Sequence, residues 1–279
     1  FPTRRSSDLL PLRQVVIIIK SLGLSRIGKP LRLIDSPDKT NWKQAKLQLQ
    51  QFGFVEKDDE ANITELGRKA VELGCDPREA VMLLTAVDLG CAREMAIAIS
   101  ALQSKRLLIS PENSEDKAYA ARAHNAFTFI SSSDAWIAVQ IVRNAEKRKA
   151  DQSLGSWCKE NWISYRSLRE VMVATKQLLF DLRQAGLTVN EEPGKEVDLR
   201  KAVFTGLRDR ILQRNGIYSQ WYTRTDGSNQ EAQMSRNSLV NPRISPVVAG
   251  WEIIEISTGR GLLRLISNAV RVEKEWLES

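Results

Sequence analysis

Residues 155–183 read GSWCKENWISYRSLREVMVATKQLLFDLR, and their pattern is that of one long helix from Ser164 to about Ala185. At about 100° per residue, Leu168, Val171, Met172, Leu179 and Leu182 share one apolar stripe. Arg169, Lys176 and Arg183 fall in a narrow stripe beside it, with Tyr165 and Arg166 close by. One side of such a helix packs inward and leaves a basic edge free. That edge can neutralise phosphates, and an aromatic next to it can stack on a splayed base. Periodicity alone equally describes a solvated helix face, and taken by itself the stripe favours that plainer reading.

The residues around the helix carry a resemblance. Trp157, Cys158, Asn161, Ile163, Tyr165, Arg166 and Leu168 follow a Trp-Cys-x-x-Asn turn, an aliphatic and Tyr-Arg-x-Leu. This run resembles the lead-in and long helix of the helicase-associated region in DEAH-box ATP-dependent helicases. A second run, CDPREAVMLLTAVDLGCAREMAIAISALQ at 75–103, is similar to that region's Asp-Pro-Arg helix, Leu-Gly-Cys and second helix. More loosely, residues 246–277 are similar to the family's last strands and end on Trp276-Leu277.

The resemblance spans about residues 10–277. It implies a multidomain, mainly α chain: a winged helix at 10–74, a helical ratchet bundle at 75–186, a linker at 187–196, and a small OB-like β-barrel with a leading helix at 197–279. In the family the long ratchet helix lines the nucleic-acid tunnel. The implied strand contacts are Tyr165, Arg166, Arg169 and Lys176. In the barrel, Ser235, Arg236 and Ser238 stand where members often have a His-Pro-Ser-Ser strand that touches the backbone of the bound strand. That His-Pro is absent here, and the family's Ser-Asp-His reads Ser133-Asp134-Ala135, which marks a divergent member. The implied parent is a bacterial, cytoplasmic motor moving 3′ to 5′ on single-stranded RNA or DNA. Its partners are that strand and upstream ATPase domains of the same polypeptide, which hold ATP and magnesium.

Composition agrees with a globular protein: 279 residues, 42% hydrophobic and 27% charged, with a formal charge of +7. That basic balance favours polyanion partners only weakly. The length allows one large domain or two to three small ones. Cys75, Cys91 and Cys158 form no CxxC pair, and His124 is the one histidine. A zinc site is not expected, and reduced, buried thiols are. No apolar run approaches the ~18 residues of a membrane span. The opening FPTRRSSDL reads as a translated sequencing adapter or a short basic tail and is set aside from the fold.

ATP hydrolysis needs a glycine-rich loop with Lys and Ser/Thr for phosphates and magnesium. The sequence contains no GxxxxGK[ST] and no Asp-Glu-x-His, so no catalytic residue and no cofactor is assigned to this stretch. Gly259-Arg260-Gly261 reads as a hairpin turn, and His124 as a surface histidine in a polar helix.

Elsewhere, Val15–Gly23 reads as a helix, Thr40 as the cap of a second, and 54–64 as two extended pieces around an acidic turn at Asp58–Glu60. Thr64 opens a short helix with Leu66, Ala70 and Leu73 on one face. Asp76, Pro77 and Glu79 form a strong helix start. Ser110–Asp116 reads as a loop, with helices at about 117–127 and 134–149. Arg143, Lys147, Arg148 and Lys149 suit the C-terminal end of the latter. Residues 197–214 read as a basic helix; its Arg200, Lys201, Arg208, Arg210 and Arg214 suit nucleic acid or solvent equally. The runs GIYSQWYT, MSRNSLV, VVAGWEIIEIS and GLLRLISNAVRV read as strands. Two rival functions stand beside the helicase reading: a winged-helix regulator reading duplex DNA through Asn41–Phe52, and a non-catalytic scaffold module.

Overall fold

The computed structural model describes residues 12–23, 38–57, 62–104, 107–127, 132–149, 153–259 and 261–278. The first nine residues and the acidic turn Asp58–Glu60 lie outside them. Among the described residues, ten α-helices precede a closed five-stranded barrel.

The first three helices are α1 (Leu12–Ser21), α2 (Lys39–Gln51) and α3 (Glu65–Glu72). Asp38, not Thr40, caps α2: its carboxylate accepts from the Thr40 and Asn41 backbone N–H groups. An aspartate at that position satisfies orphan donors and complements the helix dipole, and it places Thr40 inside the first turn. Val55 and Ile63 bridge antiparallel between α2 and α3, supported by Glu56 N–H donating to Asn62 O. Thr64 caps α3 by accepting from Gly67 N–H. Ala70 and Leu73 turn inward, whereas Leu66 is exposed and leaves the expected face.

Asp76 caps α4 (Pro77–Asp88) by accepting from Arg78 N–H. The same carboxylate takes two hydrogen bonds from Arg13 of α1, at 2.9 and 2.7 Å. Gly90 adopts φ 72°, which closes α4 and lets Cys91 N–H reach Ala86 O before α5 (Ala92–Gln103) begins. Helix α5 is buried along most of its length and packs against α4, α7 (Asp134–Lys149) and α9 (Tyr165–Gln184). Asn113 caps α6 (Ser114–Asn125), so the polar Ser110–Asp116 stretch turns helical at Ser114. Helices α8 (Leu154–Glu160) and α10 (Glu196–Gly206) complete the set, and α10 packs along α4.

The strands are β1 (Ile211–Arg214), β2 (Trp221–Arg224), β3 (Glu231–Met234), β4 (Val247–Thr258) and β5 (Gly261–Arg271). Their order is β1-β2-β3-β5-β4, and β4 closes on β1 with Leu212 opposite Val248. The β3–β5 pair is parallel and the others antiparallel. Leu212, Tyr222, Ala232, Val248, Ile266 and Ala269 fill the barrel, and the Tyr222 hydroxyl donates to Ser245 O at 3.0 Å.

Three strand expectations are corrected. In GIYSQWYT only residues 221–223 are strand, and residues 216–220 form the turn between β1 and β2. Residues 211–214 leave the helix and form β1, because burying Ile211 and Leu212 against β4 outweighs the helical preference of the basic run. In MSRNSLV only Met234 is strand; the rest is a turn beyond β3, and β3 itself starts at Glu231. Strands β4 and β5 pair out to Thr258 opposite Gly261, and Arg260 of the expected hairpin turn lies outside the described residues.

Candidate nucleic-acid interface

Ser164 starts α9 by accepting from Ser167 N–H at 3.2 Å. Just before it, Ile163 bridges Leu108 and Ser164 N–H donates to Leu107 O, which fixes the helix entry. Leu168, Val171, Thr175 and Leu182 are buried, and α9 packs on α5. Met172 and Leu179 are half-buried beside them. The apolar stripe read from the sequence is therefore the packing face.

The face beside this stripe is exposed. Tyr165, Arg169, Val173, Lys176, Phe180 and Arg183 lie four, four, three, four and three residues apart, all of them exposed. Apolar and cationic side chains alternate along this line. Val173 is 64% exposed and Phe180 54%. Sequence reasoning missed both, although each is an apolar residue lying off the packing stripe. Arg166 sits on the flank and is tied to Glu170 at 3.0 Å. Arg183 lies 3.8 Å from Glu191. Among the described residues, no ion pair engages Arg169 or Lys176.

The barrel residues sit on a different element, in the turn after β3. Ser235 is buried, and its hydroxyl accepts from Asn237 N–H. Ser238 donates its hydroxyl to Asp134 at 2.7 Å. Arg236 is exposed.

Most of the other arginines hold the fold together. Arg143 is no helix cap: it pairs with buried Glu94 at 2.5 Å, donates to Gly194 O and covers the Trp136 ring. Arg148 lies over the Trp157 ring. Arg200 is buried, pairs with Glu273 at 2.7 Å and covers Trp276. Arg208 lies over the Phe204 ring. Arg210 donates to Trp251 O, and Arg214 to Ser219 O and Pro242 O. Lys201 remains exposed.

His124 is also corrected. It is buried, with Nε2 3.2 Å from Trp162 O, because α6 lays its last turn on the loop that leads into α9. Burial holds its imidazole below the ordinary value. Among the described residues no group of three His, Cys, Asp or Glu side chains is placed to hold a metal ion, and no helix is long and apolar enough to cross a membrane.

Known proteins are similar to this sequence. The ratchet-like helicase-associated domain (HA2) matches residues 76–161. The chain is 24% identical over 275 residues to the ATP-dependent RNA helicase HrpA homolog of Haemophilus influenzae, covering 96% of this chain and 20% of that protein. It is 24% identical over 273 residues to the ATP-dependent RNA helicase HrpA of Escherichia coli, with the same coverage of 96% and 20%. It is 25% identical over 281 residues to the ATP-dependent RNA helicase DHX33 of Drosophila melanogaster, covering 100% of this chain and 38% of that one. The chain thus spans from about a fifth to two-fifths of these relatives' length. Residues 76–161 thus match a ratchet-like helicase-associated domain, and the chain along nearly its whole length is similar to ATP-dependent RNA helicases.

Proposed function

We propose that this chain is the strand-holding, C-terminal portion of a cytoplasmic ATP-dependent helicase that moves 3′ to 5′. ATP and magnesium would be bound by ATPase domains of the same polypeptide, and the substrate is a single strand of RNA or DNA. The relatives' names support the motor, since each is an ATP-dependent RNA helicase.

The domain reading is proposed with the boundaries read from the sequence, although Glu196 at the end of the linker already belongs to α10. Three helices with a Val55–Ile63 bridge between the second and third support a winged helix at 10–74. The α5-centred packing supports a ratchet bundle at 75–186. After the 187–196 linker, the closed β1-β2-β3-β5-β4 order supports an OB-like barrel within 197–279.

The observation that carries the function is the exposed face of α9. Arg169 and Lys176 stand in water on a rigid helix, one side of which is locked onto α5. Their backbone is already fixed by the helix, so only the side chains have to be ordered for the cations to neutralise phosphates. Tyr165 at the helix start and Arg166 on the flank would position the strand. Arg236 would add a contact from the barrel, while the Ser235 and Ser238 hydroxyls already have partners within the protein.

Anisotropy of a labelled single strand, titrated with the chain at several salt concentrations, tests this. Each lost phosphate contact on a single strand lowers the log–log salt slope by about 0.7. Arg169→Gln with Lys176→Gln should therefore reduce it by roughly 1.4. An unchanged slope would make α9 a strut. Tighter binding to duplex than to single strand would favour the winged-helix regulator.

A further inference from the structure

We infer that the cavity at one end of the barrel is a site for inorganic hydrogen phosphate, held between the Arg210 guanidinium and the Glu252 carboxylate. The inference stands apart from the reading of α9, because it concerns another element and a ligand that belongs to no strand.

The topology makes the cavity. Strand β1 pairs with β4 only as far as Ala249, and β3 pairs with β5 only from Leu265 onward. The rest of β4 and β5 runs on as a two-stranded arm, at the end of the barrel where Arg224 closes β2 and Gln230 leads into β3. The cavity there measures about 240 Å³, and its walls include Arg210, Arg224, Gln230, Glu252, Glu255 and Arg264. Sites for drug-sized ligands measure about 300–1,000 Å³, so a small ion suits this one better than a nucleotide.

The charges around the cavity do not all find one another. Arg264 pairs with Glu255 at 2.7 Å, and Arg224 pairs with Asp226. Asp209, next to Arg210 in the chain, is taken by the fork of Arg78. Among the described residues no ion pair engages Arg210, whose guanidinium makes one hydrogen bond, from Nη1 to Trp251 O at 2.5 Å. Among the same residues no hydrogen bond or ion pair engages the Glu252 carboxylate. One cavity is thus lined by an unpaired guanidinium and an unpaired carboxylate that do not reach each other. Burial first, then the charge of Arg78, pulls Arg210 down to about 10, and an anion beside it would oppose that repulsion.

A ligand that completes both groups presents oxyanion oxygens to one and a donor to the other. Hydrogen phosphate does this. A guanidinium fork binds phosphate oxygens in pairs, and the one P–OH that inorganic phosphate keeps at neutral pH donates to Glu252. Sulfate has the oxygens but no proton. A phosphodiester within a strand has no P–OH, and a phosphomonoester loses its own above a pKa of about 6. Each of these sets bare oxygens against the Glu252 carboxylate. In the proposed parent, hydrogen phosphate is a product of ATP hydrolysis, which would make the barrel mouth a place where that product is held.

Calorimetric titration of this chain with sodium phosphate and with sodium sulfate, near neutral pH and at constant ionic strength, tests the site. The expected result is saturable one-to-one binding of phosphate. Sulfate should bind at least about tenfold more weakly, the lower end for losing a hydrogen bond to a charged group. Glu252→Gln exchanges the acceptor for an amide that also donates, so phosphate should weaken and sulfate tighten until they differ by less than about threefold. Arg210→Gln should weaken both anions by roughly tenfold or more, since it removes the charged fork. Urea melts check that each variant folds. Glu252 is exposed, so its variant carries the test even where Arg210→Gln fails to fold. Phosphate that does not saturate, equal affinity of the wild type for phosphate and sulfate, or an unchanged preference in Glu252→Gln overturns the inference. Displacement of bound phosphate by an unphosphorylated single strand also overturns it, because the cavity would then serve a strand backbone.

Discussion

Ser238 donates its hydroxyl to Asp134 Oδ2 at 2.7 Å, and this pair fastens the barrel to the first turn of α7. The same carboxylate accepts from Leu239 N–H and Ala269 N–H, each at 2.8 Å. Next to it, Arg271 N–H donates to Ser132 O and Ser133 bridges Val270. Ser238→Ala should therefore lower stability by about 1.5–3 kcal/mol, the range for a hydrogen bond to a charged group. Asp134→Ala should cost more, because it orphans three donors. Urea melts read the stability, and single-strand affinity should change less than twofold for Ser238→Ala. A stable Ser238→Ala variant with tenfold weaker binding would return this serine to the nucleic-acid site.

Arg78 is buried and forks onto Asp209, with Nη2 2.9 Å from Oδ2 and Nη1 2.5 Å from Oδ1; Nη1 also donates to Gly206 O. The pair joins the start of α4 to the turn that leads into β1. Burial pushes the Asp209 carboxyl up, but Arg78, by hydrogen bond and by charge, pulls it down further, and the net position is below the ordinary value. A depressed carboxyl contributes stability above its unfolded value of about 3.9. That contribution is lost as pH falls from there through the lower folded value. The urea midpoint should drop over that acid window. Asp209→Asn should cost roughly 3–5 kcal/mol at pH 7, because it strands a buried guanidinium. It should also flatten the acid limb; an acid limb as steep as wild type would place the titrating group elsewhere.

The parts legible in the sequence were those set by local chemistry. The packing stripe of α9 and the Asp76-Pro77 start of α4 each follow from residues within a few positions of one another. The parts that were not legible depend on distant partners. Residues 211–214 look helical until β4 pairs with them. His124 looks exposed until its helix meets Trp162. Ser238 looks free until Asp134, 104 residues away, takes its hydroxyl. Val173 and Phe180 were hidden for another reason: apolar residues on a helix are assumed to pack, and only the structure shows that α5 covers the other side.

Gly67 in α3 marks a close approach of helix to backbone. A Cβ there would run into Phe54 O and meet Ile63 Cγ1 at 2.8 Å. Phe54 O already accepts from Thr64 N–H, so the carbonyl is not free to move. Although alanine favours helices, Gly67→Ala should destabilise, by about 1–3 kcal/mol as overpacked sites do. Thermal melts check the sign. A stabilised variant would show that α3 can lift off the 54–64 segment.

All three cysteines are free, with Cys91 and Cys158 buried and Cys75 half-buried. Burial first, then the charges of Glu79 and Asp76, pushes the Cys75 thiol up to about 12. Burial, then Glu94, pushes Cys91 up to about 12, and burial raises Cys158. The thiolate is the reactive species, so raising these values suppresses reaction even at Cys75, which has some access to solvent. A disulfide-exchange reagent at pH 8 should label the native chain far more slowly than a free thiol near pKa 8.5. In denaturant all three should react at the ordinary rate, because both burial and the neighbouring carboxylates are lost. The two arms separate access from ionisation. If raising the pH of the native chain from 8 to 10 speeds labelling of Cys75 about a hundredfold, ionisation controls it, since the thiolate fraction rises tenfold per pH unit below the pKa. A rate insensitive to pH would assign the protection to local opening. Rapid labelling of native Cys75 at pH 8 would mean that Glu79 and Asp76 do not hold its proton in place.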